Sequence, residues 1–153
     1  MNTELFNRNL IRFLQHSPTP FHCVENMVNQ LEENDFELLS EENPWHLHIG
    51  GRYMVTRNDS AIIAFVMGAD DPDRAELRLV GAHTDSPCLK VKPEPDITNA
   101  GYRQIGVEIY GGALLAPWFD RDLSIAGRIS YRDKRGGVSS VFINLVRPVA
   151  SIP

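Results

Sequence analysis

A short apolar run that ends at a histidine constrains the fold of this chain more than any other feature of its sequence. Residues 77–82 are rich in Leu and Val and close on Gly81 and Ala82, a pattern typical of a buried strand that feeds a loop. In open α/β sheets, ligands collect just beyond the carboxyl ends of such strands. The residues that follow, His83-Thr84-Asp85, therefore lie where a binding site is expected.

His83 and Asp85 form a pattern that suits a metal ion. A neutral and correctly aimed imidazole is a good Zn²⁺ ligand, and a nearby carboxylate can hold its other ring nitrogen and so fix its orientation. On spacing alone, a surface turn held by an Asx-type hydrogen bond explains the same residues. Ser86 is not predicted as a nucleophile, because Pro87 follows it and there is no Gly-x-Ser-x-Gly elbow. Cys88 lacks a reason for a depressed pKa and is not predicted as one either.

Composition and charge exclude several classes of protein. The chain has 153 residues, of which 42% are hydrophobic, so it is large enough to bury a core. A net charge of −5 and no basic cluster longer than residues 132–135 argue against a nucleic-acid partner. The sequence predicts no secretory signal and no membrane span. Cys23 and Cys88 are interpreted as small buried thiols, and the predicted location is the reducing cytoplasm.

The first half of the chain predicts two helices and a hairpin. Apolar residues recur at helical intervals over residues 3–16, with Thr3 as N-cap, and Thr19-Pro20 begins a second helix. Strands over residues 52–57 and 60–66 are joined by the tight turn Asn58-Asp59. The predicted buried face of the second helix comprises Phe21, Val24, Val28 and Leu31. Helices followed by strands predict an α/β layer architecture.

The second half predicts a change to β structure. Residues 91–96 contain Pro93 and Pro95, which cannot donate ladder hydrogen bonds, so we interpret this segment as a linker. The predicted domains are residues 1–92 and 93–153. Alternation then predicts strands over residues 105–109, 123–131 and 138–146, with a polar turn at 132–137 and no helical stretch. Residues 147–153 are apolar enough to lead into another secondary-structure element, so we expect this chain to be a fragment of a larger protein.

Two other groups of residues have alternative interpretations. His46 and His48 would face one side of a strand and could share an ion, but exposure in a polar loop beside Trp45 is favoured. Asp120 and Asp122 flank an arginine next to two aromatic residues. They form either a salt-bridged corner, which is favoured, or a loop that reaches a neighbouring subunit.

Several segments, in their order and spacing, resemble the N-terminal portion of the M18 family of metallo-aminopeptidases, the aspartyl aminopeptidase-like enzymes. The resemblance covers nearly the whole chain. The segments that carry it are Ser17-Pro18-Thr19-Pro20-Phe21-His22, residues 79–87 around His83, Leu89-Lys90-Val91-Lys92-Pro93, Tyr110-Gly111-Gly112 and Trp118-Phe119-Asp120-Arg121-Asp122-Leu123.

This resemblance implies the start of an α/β metallopeptidase catalytic domain followed by part of a β-rich dimerisation domain. It implies an active site with two metal ions, for which Zn²⁺ is expected and Co²⁺ or Mn²⁺ are alternatives. The implied reaction is the removal of N-terminal residues from peptides. Acidic residues are removed by the aspartyl-specific members. His83 then corresponds to a metal ligand and Asp85 to the catalytic carboxylate that orients it. The implied partners are a peptide substrate and further copies of the chain, joined through the β-rich domain.

The sequence also departs from the family pattern. A bridging aspartate, a Glu-Glu pair, a further aspartate and a terminal histidine are not found, and residues 115–117 are Leu-Ala-Pro where many members have a histidine. One ligand of five does not bind a pair of ions, so this chain alone is expected to be inactive. The alternative is a non-catalytic assembly or regulatory fragment that associates with intact subunits.

Overall fold

A computed structural model describes residues 2–70 and 76–153 of the chain. Contacts divide it into two compact units: the first comprises the described residues up to Thr84 together with Ala126–Asn144, and the second comprises Asp85–Ile125 and Leu145–Pro153. The elements are α1 (Thr3–His16), α2 (Pro20–Glu32), β1 (Glu37–Leu39), β2 (Arg52–Arg57), β3 (Ala61–Val66), β4 (Cys88–Asn99), β5 (Tyr102–Tyr110), a 3₁₀ helix (Ala116–Trp118), β6 (Ala126–Arg132) and β7 (Val138–Asn144).

Both predicted helices are confirmed, but the cap of α1 was assigned to the wrong residue. Asn2 has an extended backbone and its side chain accepts from the Glu4 N–H at 3.0 Å, so Thr3 is the first helical residue rather than the cap. At α2 the prediction holds, because Thr19 Oγ1 accepts from the His22 N–H at 3.5 Å and Pro20 occupies the first turn.

The fully buried residues of α2 lie around its first turn, whereas most of the predicted buried face is half-buried. Val24 is buried, but Phe21, Val28 and Leu31 are half-buried, while His22 and Cys23 are the other buried residues of the helix. The cause is that α2 contacts strand β6 as well as strands β1, β2 and β3, so the helix is covered on more than one side.

A three-stranded sheet forms the centre of the first unit. Strand β2 pairs with β1 in parallel and with β3 in antiparallel register, which confirms the predicted hairpin. Tyr53, Met54 and Val55 of β2 are buried, and Met54 is 0% exposed. The core of this unit therefore lies between the middle strand and α2.

The first unit also contains the hairpin β6–β7. Its turn is held by the Asp133 carboxylate, which accepts from the backbone N–H groups of Arg135 at 2.8 Å and Gly137 at 2.9 Å. The polar turn predicted at residues 132–137 is confirmed. The predicted strand began too early, because Leu123 forms an isolated bridge with Ala150 before β6 begins.

The second unit is built on the hairpin β4–β5. The predicted linker at residues 91–96 is wrong, since β4 continues through it and the register with β5 shifts between Val91 and Asp96. Proline is tolerated there because an irregular pairing does not require every N–H of the strand. The expectation of no helical stretch is also wrong, because Pro117 lies in the short 3₁₀ helix.

The buried strand predicted over residues 77–82 is not observed. Residues 76–83 have no regular structure, and Leu77, Leu79 and Val80 are 84%, 88% and 100% exposed. A strand needs ladder hydrogen bonds with a neighbour as well as apolar side chains. Within residues 2–70 and 76–153, no strand pairs with this segment.

The α/β fold class is confirmed by these helices and sheets. The domain boundary between residues 92 and 93 stays a prediction. Neither α1 nor α2 combines the length and the hydropathy that a membrane crossing requires, and this holds for every helix in the described part of the chain.

Candidate functional site

The candidate site is the loop His83-Thr84-Asp85, which follows the exposed apolar segment. His83 is exposed, whereas Thr84 and Asp85 are half-buried. The Thr84 hydroxyl donates to the Ser60 carbonyl at 2.8 Å, and Ser60 lies between β2 and β3. The hairpin β2–β3 therefore fixes the backbone next to His83, although residues 76–82, directly before the loop, form no strand.

Asp85 is the first residue of the second unit and receives a hydrogen bond from within that unit. The Tyr110 hydroxyl, at the end of β5, donates to Asp85 Oδ2 at 2.7 Å. Gly111 then turns the chain with φ +67°, a backbone conformation that glycine adopts without steric cost. This bond occupies one carboxylate oxygen of Asp85 and holds the side chain in a defined direction.

The Asp85 carboxylate raises the pKa of Tyr110, first because it accepts the phenol hydrogen bond and second because its charge opposes phenolate formation. A group whose folded-state pKa is raised adds stability below its ordinary pKa, and this stability is lost as the pH rises through the raised value. The contact between Tyr110 and Asp85 is therefore expected to persist at neutral pH and to break in alkali.

We expect Asp85→Asn to shift Tyr110 ionisation to lower pH, because the amide removes the charge that opposes phenolate formation. An ultraviolet absorbance titration measures the shift, with Tyr110→Phe identifying the contribution of this tyrosine. Asp96→Asn is the matched control, since Asp96 is an exposed carboxylate of the same hairpin. An unchanged titration in Asp85→Asn would contradict the assigned hydrogen bond.

The described residues of this chain do not by themselves fit a catalytic zinc site. Zinc in proteins takes at least three protein ligands, and no group of three or more His, Cys, Asp or Glu side chains suited to a metal ion occurs in the described ranges. The described part of the chain therefore does not group His83 with two further metal-binding side chains.

His46 and His48 lie in an exposed loop, as the favoured interpretation of the sequence predicted. His46 and His48 are exposed in a loop without regular structure, and the backbone N–H of His48 donates to the Tyr53 hydroxyl at 2.9 Å. Trp45 lies beside Phe65, with ring centroids 6.3 Å apart. This loop packs against the sheet through its aromatic residue and offers its histidines to solvent.

Both cysteines lack the features of a nucleophile. Burial raises the pKa of the Cys23 thiol and, as the largest of several causes, that of Cys88. A raised pKa lowers the thiolate fraction at neutral pH, so the rejection of Cys88 as a nucleophile is supported.

Sequence reasoning missed two residues that contact the candidate loop. Tyr110 was noted as part of the Tyr-Gly-Gly segment without a role, and Ser60 was counted only as the start of a strand. Ser60 contributes its backbone carbonyl, which carries no sequence signal. For Tyr110, the only available signal was its place in a segment that resembles the family.

Comparison with known families agrees with the α/β fold. The sequence model of a class of zinc-dependent exopeptidases, described as aminopeptidase I zinc metalloprotease (M18), matches residues 13–153. The chain belongs to the M18 family.

Individual relatives extend this result. The chain is 55% identical over 153 residues to a probable M18 family aminopeptidase 2 of Azotobacter vinelandii, and 54% identical to that of Stutzerimonas stutzeri. All of this chain matches 35% of each relative, so it spans about a third of their length. Among solved structures, yeast aminopeptidase 1 (Ape1) is similar with a TM-score of 0.90 and 33% identity, over 99% of this chain and 36% of that one.

Proposed function

We propose that this sequence acts as part of a zinc-dependent aminopeptidase that removes N-terminal residues from peptides in the cytoplasm. The observation that carries the proposal is the likeness to the M18 family over residues 13–153. The family description names both zinc and aminopeptidase activity.

Within this function, His83 is a metal ligand and Asp85 is the carboxylate that orients it. The hydrogen bonds of the loop support these roles, because Thr84 and Asp85 are each held by a partner from another part of the chain. Such partners reduce the freedom of a ligand, which raises metal affinity. The remaining ligands are absent from the described residues, and we propose that the 153-residue chain alone is inactive.

We propose further that residues 93–153 contribute to a β-rich dimerisation domain, and that residues 1–92 belong to the catalytic domain. A solved neighbour from S. cerevisiae, 33% identical to this chain, is described as an mApe1 dodecamer. Exposed apolar side chains on the hairpin β4–β5 support association through this region, since Val91, Ile97 and Ile109 are each at least 40% exposed. The same exposure would serve the alternative function of a non-catalytic assembly fragment.

A hybrid protein tests the proposed activity. In this hybrid, the present chain replaces the 153 matched residues of the A. vinelandii relative, which is 55% identical over that length. We expect the hybrid, supplied with Zn²⁺, to release amines from aspartyl or leucyl chromogenic amides, whereas the 153-residue chain alone stays at background. Comparison of the two amides tests the preference for acidic N-terminal residues.

Two outcomes would overturn the proposal. Hydrolysis well above background by the chain alone would contradict its inactivity. A hybrid that is folded and retains zinc, but cleaves neither amide, would contradict the aminopeptidase assignment and favour the assembly function.

A further inference from the structure

Arg128 on β6 connects three parts of the first unit. Its Nη1 donates to the Asn58 carbonyl at 3.1 Å, to Asn58 Oδ1 at 3.2 Å and to Asp59 Oδ2 at 3.3 Å, and its Nη2 donates to Asn58 Oδ1 at 3.2 Å. The guanidinium lies 4.3 Å from the centroid of the Phe21 ring on α2. The side chain is 22% exposed, so these contacts are partly shielded from water.

The loop that Arg128 contacts has a backbone that needs support. Asn58 and Asp59 have φ values of 53° and 55°, in the left-handed region that non-glycine residues adopt at a cost. Both residues are of the types that tolerate this region. Arg128 donates to the backbone carbonyl of Asn58 and to the side chains of Asn58 and Asp59. These hydrogen bonds stabilise the loop in this conformation.

The same loop carries the carbonyl that holds the candidate site. Ser60 follows Asp59 directly, and its carbonyl accepts from the Thr84 hydroxyl next to His83. A continuous set of contacts thus leads from Arg128 through residues 58–60 to Thr84. Every residue in this set lies in the first compact unit.

We infer that Arg128 is a positioning residue for the His83 loop, acting through the turn at residues 58–60. The inference rests on the proposed function for its meaning, because His83 is the proposed metal ligand. The link from Arg128 to the His83 loop is indirect, because it passes through residues 58–60 to Thr84. The Arg128 guanidinium suits this task better than a lysine would, since the planar group forms several directed hydrogen bonds and stacks on the aromatic ring at once.

Nuclear magnetic resonance of the full 153-residue chain tests the inference without any activity measurement. In Arg128→Met we expect the Ser60 amide, which donates to the Arg57 carbonyl at 3.2 Å, to exchange about tenfold faster with solvent, because hydrogen bonds to a charged donor are lost. We also expect the ring resonance of His83 to move towards its position in the unfolded chain, while those of His46 and His48 stay unchanged.

A double-mutant cycle separates transmission from general loosening. Thr84→Val should move the His83 resonance in the same direction, and the double variant with Arg128→Met should move it no further than Thr84→Val alone, since both changes interrupt one path. Arg128→Lys should restore little of the effect. Arg132→Met, on the exposed end of the same strand, should change neither signal.

Asn58→Gly provides a milder variant if Arg128→Met does not fold. Glycine accepts the positive φ of this position, so only the side-chain acceptor for Arg128 is lost. A smaller shift of His83 in the same direction is expected. Additive effects of Arg128→Met and Thr84→Val, or a His83 resonance that moves only in Thr84→Val, would overturn the inference. An inactive hybrid protein would instead contradict the proposed function alone.

Discussion

His83→Ala in the hybrid protein is expected to lower kcat for the chromogenic amides by more than about a hundredfold. Mutation of a residue that only supports a metal ligand costs about 10- to 100-fold in affinity or activity, and loss of a ligand should cost more. Zinc content after dialysis, measured by elemental analysis, should fall in parallel. Asp85→Asn should cost about 10- to 100-fold, because the imidazole stays but loses its orienting carboxylate.

His46→Ala is the matched control for this prediction. His46 is an exposed histidine outside the candidate loop, so its removal should leave both kcat and zinc content unchanged. Full activity and full zinc content in His83→Ala would contradict the assignment of His83 as a ligand. A loss of activity with an unchanged zinc content would point to a role in substrate binding instead.

Met54→Ala is expected to destabilise the 153-residue chain by about 2–5 kcal/mol. Met54 is 0% exposed in the middle strand of the sheet, so truncation removes apolar contacts and leaves a cavity. Since whole domains are stable by only about 5–15 kcal/mol, this is a large fraction of the total. Urea denaturation followed by circular dichroism measures the free energy of unfolding in both proteins.

Ile63→Ala controls for the loss of a large side chain in the same sheet. Ile63 pairs with Val55 across β2 and β3 but is 66% exposed, so its replacement should cost less than about 1 kcal/mol. Equal costs for the two variants would show that the core is not where α2 meets β2. A cooperative transition in the unchanged chain would also show that the 153 residues fold on their own.

Local signals in the sequence predicted the two helices and the hairpin β2–β3 well. The period of apolar residues located α1, and Thr19-Pro20 located the start of α2, because a cap and a first-turn proline act within one turn of a helix. The turn Asn58-Asp59 located the hairpin for a similar reason, since these residue types tolerate a positive φ.

Predictions failed where structure depends on distant partners. Residues 77–82 have the composition of a buried strand, but composition cannot supply the neighbour with which a strand forms its ladder. The supports of the candidate loop are also non-local: Tyr110 lies 25 residues from Asp85, and Arg128 lies 70 residues from Asn58. His83 and Asp85 could be selected from their spacing, whereas the residues that hold the loop could not.

The irregular pairing in β4 has a consequence for how the second unit meets other chains. Pro93 and Pro95 remove two amide hydrogens from the middle of this twelve-residue strand. An incoming strand that added to the edge of β4 could not complete its hydrogen bonds there, so growth of the sheet by edge addition is disfavoured. Copies of the chain that associate along the edge of β4 would therefore have to contact it through side chains rather than through a continuous ladder of backbone hydrogen bonds.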